Sequence, residues 1–102
     1  MRRDPWQALA DPTRRRIIEI LKEEDLTINE IAGHFDISRP AISKQLKILH
    51  ESNLIEIEKS GRERSCALTL SGLEEVYEWV KQYESFWLTK LDRLEKFLDD
   101  KQ

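Results

Sequence analysis

Residues 37–50 contain Arg39, Lys44 and Lys47 and not one carboxylate. Ser43 lies among them. Lysine and arginine bind phosphate oxygens, and arginine also grips a guanine edge through two parallel hydrogen bonds. The chemistry open to this segment is recognition of a polyanion. The net charge of −3 argues the other way until its distribution is read. Residues 1–70 carry 12 Lys+Arg and 12 Asp+Glu, and residues 71–102 carry 5 and 8, so the whole excess of acid lies in the last third. A local basic stripe matters more to a polyanion than the sum does. Other chemistry is poorly supplied. Serines and aspartates are scattered, no Gly-rich phosphate loop is present, and no paired carboxylates sit on a pocket-forming frame, so an enzyme is not expected and no cofactor is implied.

The elements that must position the stripe can be read from caps and periods. At 102 residues the chain fits one domain, 1–102, with three Gly and three Pro leaving little loop. Asp4-Pro5, with Gln7 completing a box-like pattern, starts a short first helix, and Asp11-Pro12 breaks it and starts a second, about Pro12 to Lys22. Thr27 and Glu30 form a capping box for a third helix, about 28–35. Ser38 caps a fourth, with Pro40 tolerated in its first turn and Ile42, Leu46 and Leu49 on its inner face. Asn53 is its left-handed cap. The period then changes to 2: Ile55 and Ile57, a charged tip with Gly61, then Cys66, Leu68 and Leu70 make a β-hairpin. Ser71 and Glu74 box the start of one long helix, about 72–98 and roughly 40 Å long. Its apolar seam runs Leu73, Val76, Val80, Tyr83, Trp87, Leu91, Leu94, Leu98, heptad-like with one stutter.

Short helix, tight turn, capped basic helix and hairpin, in that order, make a winged helix-turn-helix, a mainly α fold with one β-hairpin (α+β). The fourth helix is shaped to lie in a DNA major groove with Arg39, Pro40, Ser43, Lys44 and Lys47 toward bases and phosphates. The alternative is a winged-helix module that binds a protein; such modules commonly present mixed or apolar residues on this face. The stretches ALADPTRRRIIEIL and LTINEIAGHFDISRPAISKQLKILHESNLI resemble the ArsR family of bacterial winged-helix repressors, and within it the metal-blind, SdpR-like branch. The resemblance covers about residues 4–71, the DNA-binding core, and leaves 72–98 as a C-terminal dimerisation helix. It implies a homodimer that binds an imperfect palindrome in double-stranded DNA and blocks transcription, its own included. It carries DNA contacts to Ser38, Arg39, Pro40, Ser43, Lys44, Gln45 and Lys47, and to Arg62 and Arg64 in the wing.

The family's metal ligands have no counterpart at matching positions. Thr27-Ile28-Asn29 stands where the founding members carry Cys-x-Cys, and residues 72–102 contain no histidine. His34 and His50 read as surface or turn histidines, with a phosphate contact the minor reading for His50. Cys66 reads as a small packed hydrophobe, with a redox switch as the rival. Of Arg14, Arg15 and Arg16, one or two can meet phosphates together; surface or salt-bridging roles suit the others. Trp6, Leu9, Trp79, Tyr83, Phe86, Trp87, Leu91 and Leu94 read as a dimer interface, with an apolar effector pocket and intramolecular core as alternatives. A helix of roughly 40 Å overhangs a 70-residue core. With one cysteine, no secretory signal pattern at the N-terminus and no membrane-length apolar run, the expected setting is the cytoplasm, at the nucleoid, with no membrane partner. The effector, if one acts, is not encoded in any motif.

Overall fold

Two Asp-Pro pairs shape the start of the chain. In the computed structural model, which describes residues 3–100, Asp4 accepts a hydrogen bond from the Trp6 amide at 3.0 Å and opens α1 (Pro5–Leu9). Gln7 makes no side-chain return bond among the described residues. Asp11 accepts from the Arg14 amide at 3.1 Å and opens α2 (Pro12–Glu23). A five-residue helix leaves its last carbonyls without intrahelical donors. Here α2 supplies them. The Arg14 guanidinium donates to Ala8 O at 2.7 Å and Gln7 O at 3.4 Å, and that of Arg15 to Leu9 O at 2.9 Å and Ala10 O at 3.2 Å. Arg16 pairs with Glu19. The arginine run thus fastens α1 to α2, and its surface-and-salt-bridge reading holds for Arg16.

The capping box at α3 (Ile28–Ala32) is complete: Thr27 Oγ1 accepts from the Glu30 amide at 3.1 Å, and Glu30 Oε1 from the Thr27 amide at 2.9 Å. The Thr27 amide first, and after it the Thr27 hydroxyl, holds the Glu30 carboxyl below its ordinary value. The helix is shorter than the 28–35 expected. The Gly33 amide still bonds four residues back, to Asn29 O, and from His34 on amides bond three residues back (His34 to Ile31, Phe35 to Ala32), a tightening that ends the helix. Thr27 also belongs to a strand that the sequence reading missed, β1 (Leu26–Thr27).

Ser38 Oγ accepts from the Ala41 amide at 3.2 Å and starts α4 (Arg39–Glu51). Asn53 has φ 60°, as expected of the left-handed cap. Strands β2 (Ile55–Ser60) and β3 (Glu63–Leu68) form the hairpin around Gly61, whose φ of 62° suits the turn. The sheet order is β1-β3-β2, antiparallel throughout, with Leu26 and Ile57 both opposite Cys66 and Lys59 opposite Arg64. Leu70 lies beyond β3, at the first position of the next helix.

The last helical segment departs from expectation twice. Its cap is Thr69, not Ser71: Thr69 Oγ1 accepts from the Ser71 amide at 3.3 Å and donates to Asn53 O at 2.9 Å. And it is two helices, α5 (Leu70–Lys81) and α6 (Glu84–Asp100). At the junction Gln82 and Tyr83 bond three residues back, to Trp79 O and Val80 O, before Trp87 resumes the four-residue spacing on Tyr83 O. The tightened turn comes just before the two successive four-residue steps, Tyr83 to Trp87 to Leu91, at which the heptad seam stutters.

The core joins Ile17 and Leu21 of α2, Ile31 of α3, Ile42, Leu46 and Leu49 of α4, and Leu54, Ile55 and Cys66 of the wing. Its members span residues 8–66, and α6 buries nothing. The molecule measures 62 × 29 × 21 Å, and its radius of gyration of 18.1 Å exceeds the roughly 13 Å of a compact chain this size. No helix of the described residues is long and apolar enough to cross a membrane.

Candidate nucleic-acid interface

One face of α4 is fixed by the core, and this sets what the others present. Ile42, Leu46 and Leu49 are buried, so Arg39, Pro40, Ser43, Lys44 and Lys47 are turned to solvent. Arg39 and Ser43, one turn apart, meet Arg62 and Arg64 of the wing across a concavity of about 180 Å³, floored by Ile28 and flanked by Glu63. Ser43 and Lys47 line a second, adjoining groove of about 550 Å³ with Arg64, Lys59 and His50. Of the nine residues expected to contact DNA, the geometry therefore brings Arg39, Ser43, Lys47, Arg62 and Arg64 around one pair of hollows. Lys44 and Pro40 stand on the outer side of the helix.

Two of the nine are held elsewhere. The Ser38 hydroxyl is engaged in the helix cap. Gln45 is half-buried and its Oε1 accepts from Arg14 Nη1 at 2.8 Å, which ties α4 to α2 on the side away from the wing.

The electrostatics of the exposed face differ from those of the rest of the surface. Elsewhere several cations are engaged: Arg3–Glu51, Arg16–Glu19, Lys22–Glu23 and Lys96–Asp92 are ion pairs, Arg14 and Arg15 bond backbone carbonyls, and Lys81 and Lys90 lie over aromatic rings. Arg39, Lys44, Lys47, Lys59, Arg62 and Arg64 are in no ion pair among the described residues. Unneutralised cations on a rigid helix and an adjoining hairpin are what phosphate binding requires. Sequence reasoning overlooked Lys59. Its alternation with Ile55 and Ile57 was the available signal, because every second residue of a strand shares a face.

The other residues singled out by chemistry have structural settings. Cys66 is fully buried, and burial pushes its thiol pKa up, so the packing reading holds. Thr27 is committed to its cap, Ile28 is buried and Asn29 is exposed. Among the described residues no three His, Cys, Asp or Glu side chains are grouped to hold a metal ion.

A second surface is apolar. Trp6 packs edge-on against Trp79 with centroids 5.2 Å apart, Trp79 leans on Tyr83 at 4.8 Å, and Phe86 meets Trp87 at 5.3 Å. These rings stay exposed, as do Leu91 and Leu94, with Trp87 at 57% and Leu91 at 60% of full accessibility. Leu9 is half-buried against the core. The core reading of this seam therefore fails for the α6 residues.

Comparison with known proteins agrees with this geometry. Residues 11–56 match the family described as bacterial regulatory protein, arsR family. The chain is 36% identical over 78 residues to the transcriptional repressor SdpR of Bacillus subtilis, covering 76% of this chain and 87% of that protein. It is 35% identical to the HTH-type transcriptional regulator Rv2034 of Mycobacterium tuberculosis, over 92% of this chain and 85% of that one. A crystal structure of an ArsR family transcriptional regulator superposes with a TM-score of 0.75 at 35% identity, covering 81% of this chain and 91% of the other. The chain belongs to the ArsR family of bacterial regulatory proteins, and is a DNA-binding transcriptional regulator and not an enzyme.

Proposed function

We propose that this regulator works as a homodimer that binds a palindromic duplex site and represses transcription from it, its own promoter included, in the cytoplasm and without sensing a metal. The observation that carries the DNA reading is the set of unpaired cations that α4 and the wing turn to the same hollows. Arg39, Ser43, Lys44 and Lys47 enter the major groove, Pro40 shapes the approach of the helix start, and Arg62 and Arg64 meet the flanking backbone. Ser38 and Gln45 act by holding the helix rather than by reaching furthest from it. The uncovered aromatic seam of α1, α5 and α6 supports the dimer: contiguous exposed apolar surface of this kind marks an association site. Two copies of α4 then lie about 34–36 Å apart and read half-sites one helical turn apart.

Metal independence is supported by the residue types. Thr27-Ile28-Asn29 offers no thiolate, and the last helices offer no imidazole. Titration with zinc, cadmium or arsenite should leave operator affinity unchanged; a stoichiometric metal complex that releases DNA overturns this part.

Selection of bound sequences from random duplexes, followed by a footprint and affinities at several salt concentrations, tests the whole reading. A palindromic footprint with salt-dependent affinity is expected. A parent protein with no salt-dependent duplex binding leaves the interaction-module reading in its place.

A further inference from the structure

The groove between α4 and the wing holds an arrangement that stability alone does not favour. Lys59 of β2 and Arg64 of β3 are direct cross-strand partners, and like charges in that position repel. Both line the same groove, and neither has a carboxylate partner among the described residues. From the facing helix Lys47 and His50, three residues apart, line it too. The remaining walls are Ile28, Ser43, Leu46 and Ile57, so no acid faces these four basic groups from α3, α4, β2 or β3. The nearby glutamates are placed otherwise: Glu63 lines the adjoining hollow with Arg62 and Arg64 and not this groove, Glu58 alternates out of phase with Ile57 and Lys59, and Glu51 pairs with Arg3.

His50 is also held in one tautomer. Its Nδ1 lies 3.3 Å from Ile55 O. The partner is a carbonyl, so Nδ1 carries the hydrogen and Nε2 is the ring nitrogen free to take a proton.

We propose that this groove seats one backbone phosphodiester of the bound DNA, gripped by Lys47, Lys59 and Arg64, and that His50 takes up a proton at Nε2 as the phosphate arrives. This rests on the DNA-binding reading above and adds Lys59 and His50 to it. An entering phosphate supplies the missing anion and accepts the Nε2–H. DNA binding by this protein is thus coupled to proton uptake.

The test is fluorescence-anisotropy titration of the full chain with a selected duplex, for the parent, Lys59→Gln, His50→Gln and, as control, Lys22→Gln on α2. Lys59→Gln should lower the salt slope of binding by about one. The parent should bind more weakly as the pH rises from about 6 to about 8, by roughly two- to fivefold, the size of one exposed ion pair. His50→Gln should lose that pH dependence and bind with one affinity across the range. If the parent binds duplex with a normal salt slope and both variants match it at every pH, this inference falls and the DNA-binding reading stands. If the parent itself shows no salt-dependent binding, the DNA-binding reading falls. An added arm titrates inorganic phosphate into the DNA-free protein at matched ionic strength, following the His50 ring by NMR. Tight phosphate binding at the groove, with duplex affinity indifferent to Lys59→Gln, assigns the site to a free anion and overturns the DNA assignment.

Discussion

An arginine that grips a base edge and a lysine that neutralises a phosphate leave different traces when removed. The first carries sequence information; the second carries charge. Arg39 lies at the first position of α4, beside the wing cations, where a base edge is within its reach once the helix enters the groove. Arg39→Ala should cost roughly 1–3 kcal/mol at one base position and relax the preference there. Lys47→Ala and Arg62→Ala should weaken all sequences alike and each reduce the salt slope by about one. Affinity for a panel of single-base operator variants at three salt concentrations separates the two behaviours; three variants that bind as the parent does would sink the reading of α4 as the reader.

Cys66 makes a prediction of another kind. Burial raises its pKa, so the folded state holds this proton more tightly than the unfolded chain does. Stability from this source is complete below the unfolded thiol's pKa of about 8.5 and is lost as pH rises through the folded value. The urea midpoint should fall more between about pH 7 and about pH 10 in the parent than in Cys66→Val, and iodoacetamide should label the thiol only on unfolding. Rapid labelling of the native protein would restore the redox reading.

At the scale of elements, the joint between α4, the wing and α5 is the stiffest point to probe. The Asn53 carbonyl accepts from the Thr69 hydroxyl at 2.9 Å and from the Gly72 amide at 2.9 Å. That approach is possible because residue 72 has no side chain. A Cβ there would lie 2.7 Å from Asn53 O, 2.8 Å from Ser52 O and 2.9 Å from Leu54 Cδ2. Gly72→Ala should therefore destabilise by about 1–3 kcal/mol, the usual range for overpacking. Exposed Gly33→Ala serves as the comparison in thermal unfolding, since there the tightest neighbour is at 3.3 Å. An unchanged melting temperature for Gly72→Ala would show that the joint can open at little cost.

The same joint shows where the sequence was legible. Caps with a side-chain oxygen and a matching partner could be read directly, as at Thr27–Glu30, Ser38 and Asn53, because the signal is local. Thr69 was misread because it continues the alternation of β3, and only the fold brings Asn53 beneath it. β1 has two residues, too few to show a period. The division of α5 from α6 lies at Gln82–Tyr83, where no Gly or Pro marks it. For the interface, residue type and helix period placed Arg39, Ser43, Lys44 and Lys47 on the solvent-facing side of α4, where the structure has them. They could not show that Arg14 captures Gln45 or that the hairpin register sets Lys59 across from Arg64.

At the scale of the whole molecule, charge and hydrophobicity are separated along the long axis. The cations that line the two hollows, Arg39, Lys47, Lys59, Arg62 and Arg64, lie on α4 and the wing, and the apolar seam lies on α1, α5 and α6. Seventeen residues of α6 with none buried would be a poor use of apolar side chains in a monomer. Trp87, Leu91 and Leu94 recur at four- and three-residue steps along one face of the helix, and since each is about half exposed, covering it contributes about half of the roughly 1.5–3 kcal/mol of a full burial. Pairing through this seam leaves the acidic last third of the chain at the dimer centre. It turns two cationic faces outward, which is how a protein of net charge −3 can hold a polyanion. Sedimentation at micromolar concentration should give about twice the chain mass of 12.1 kDa. Leu91→Glu places a charge in the seam without touching α4 or the core, so the helix-turn-helix should keep its circular dichroism and unfold cooperatively. The variant should sediment as a monomer and bind a half-site as the parent's single subunit does. On the full palindrome its affinity should drop by orders of magnitude, because the second half-site no longer profits from the first. A Leu91→Glu protein that stays dimeric, or that is monomeric yet keeps full palindrome affinity, would mean that the seam serves a partner other than a second copy of this chain.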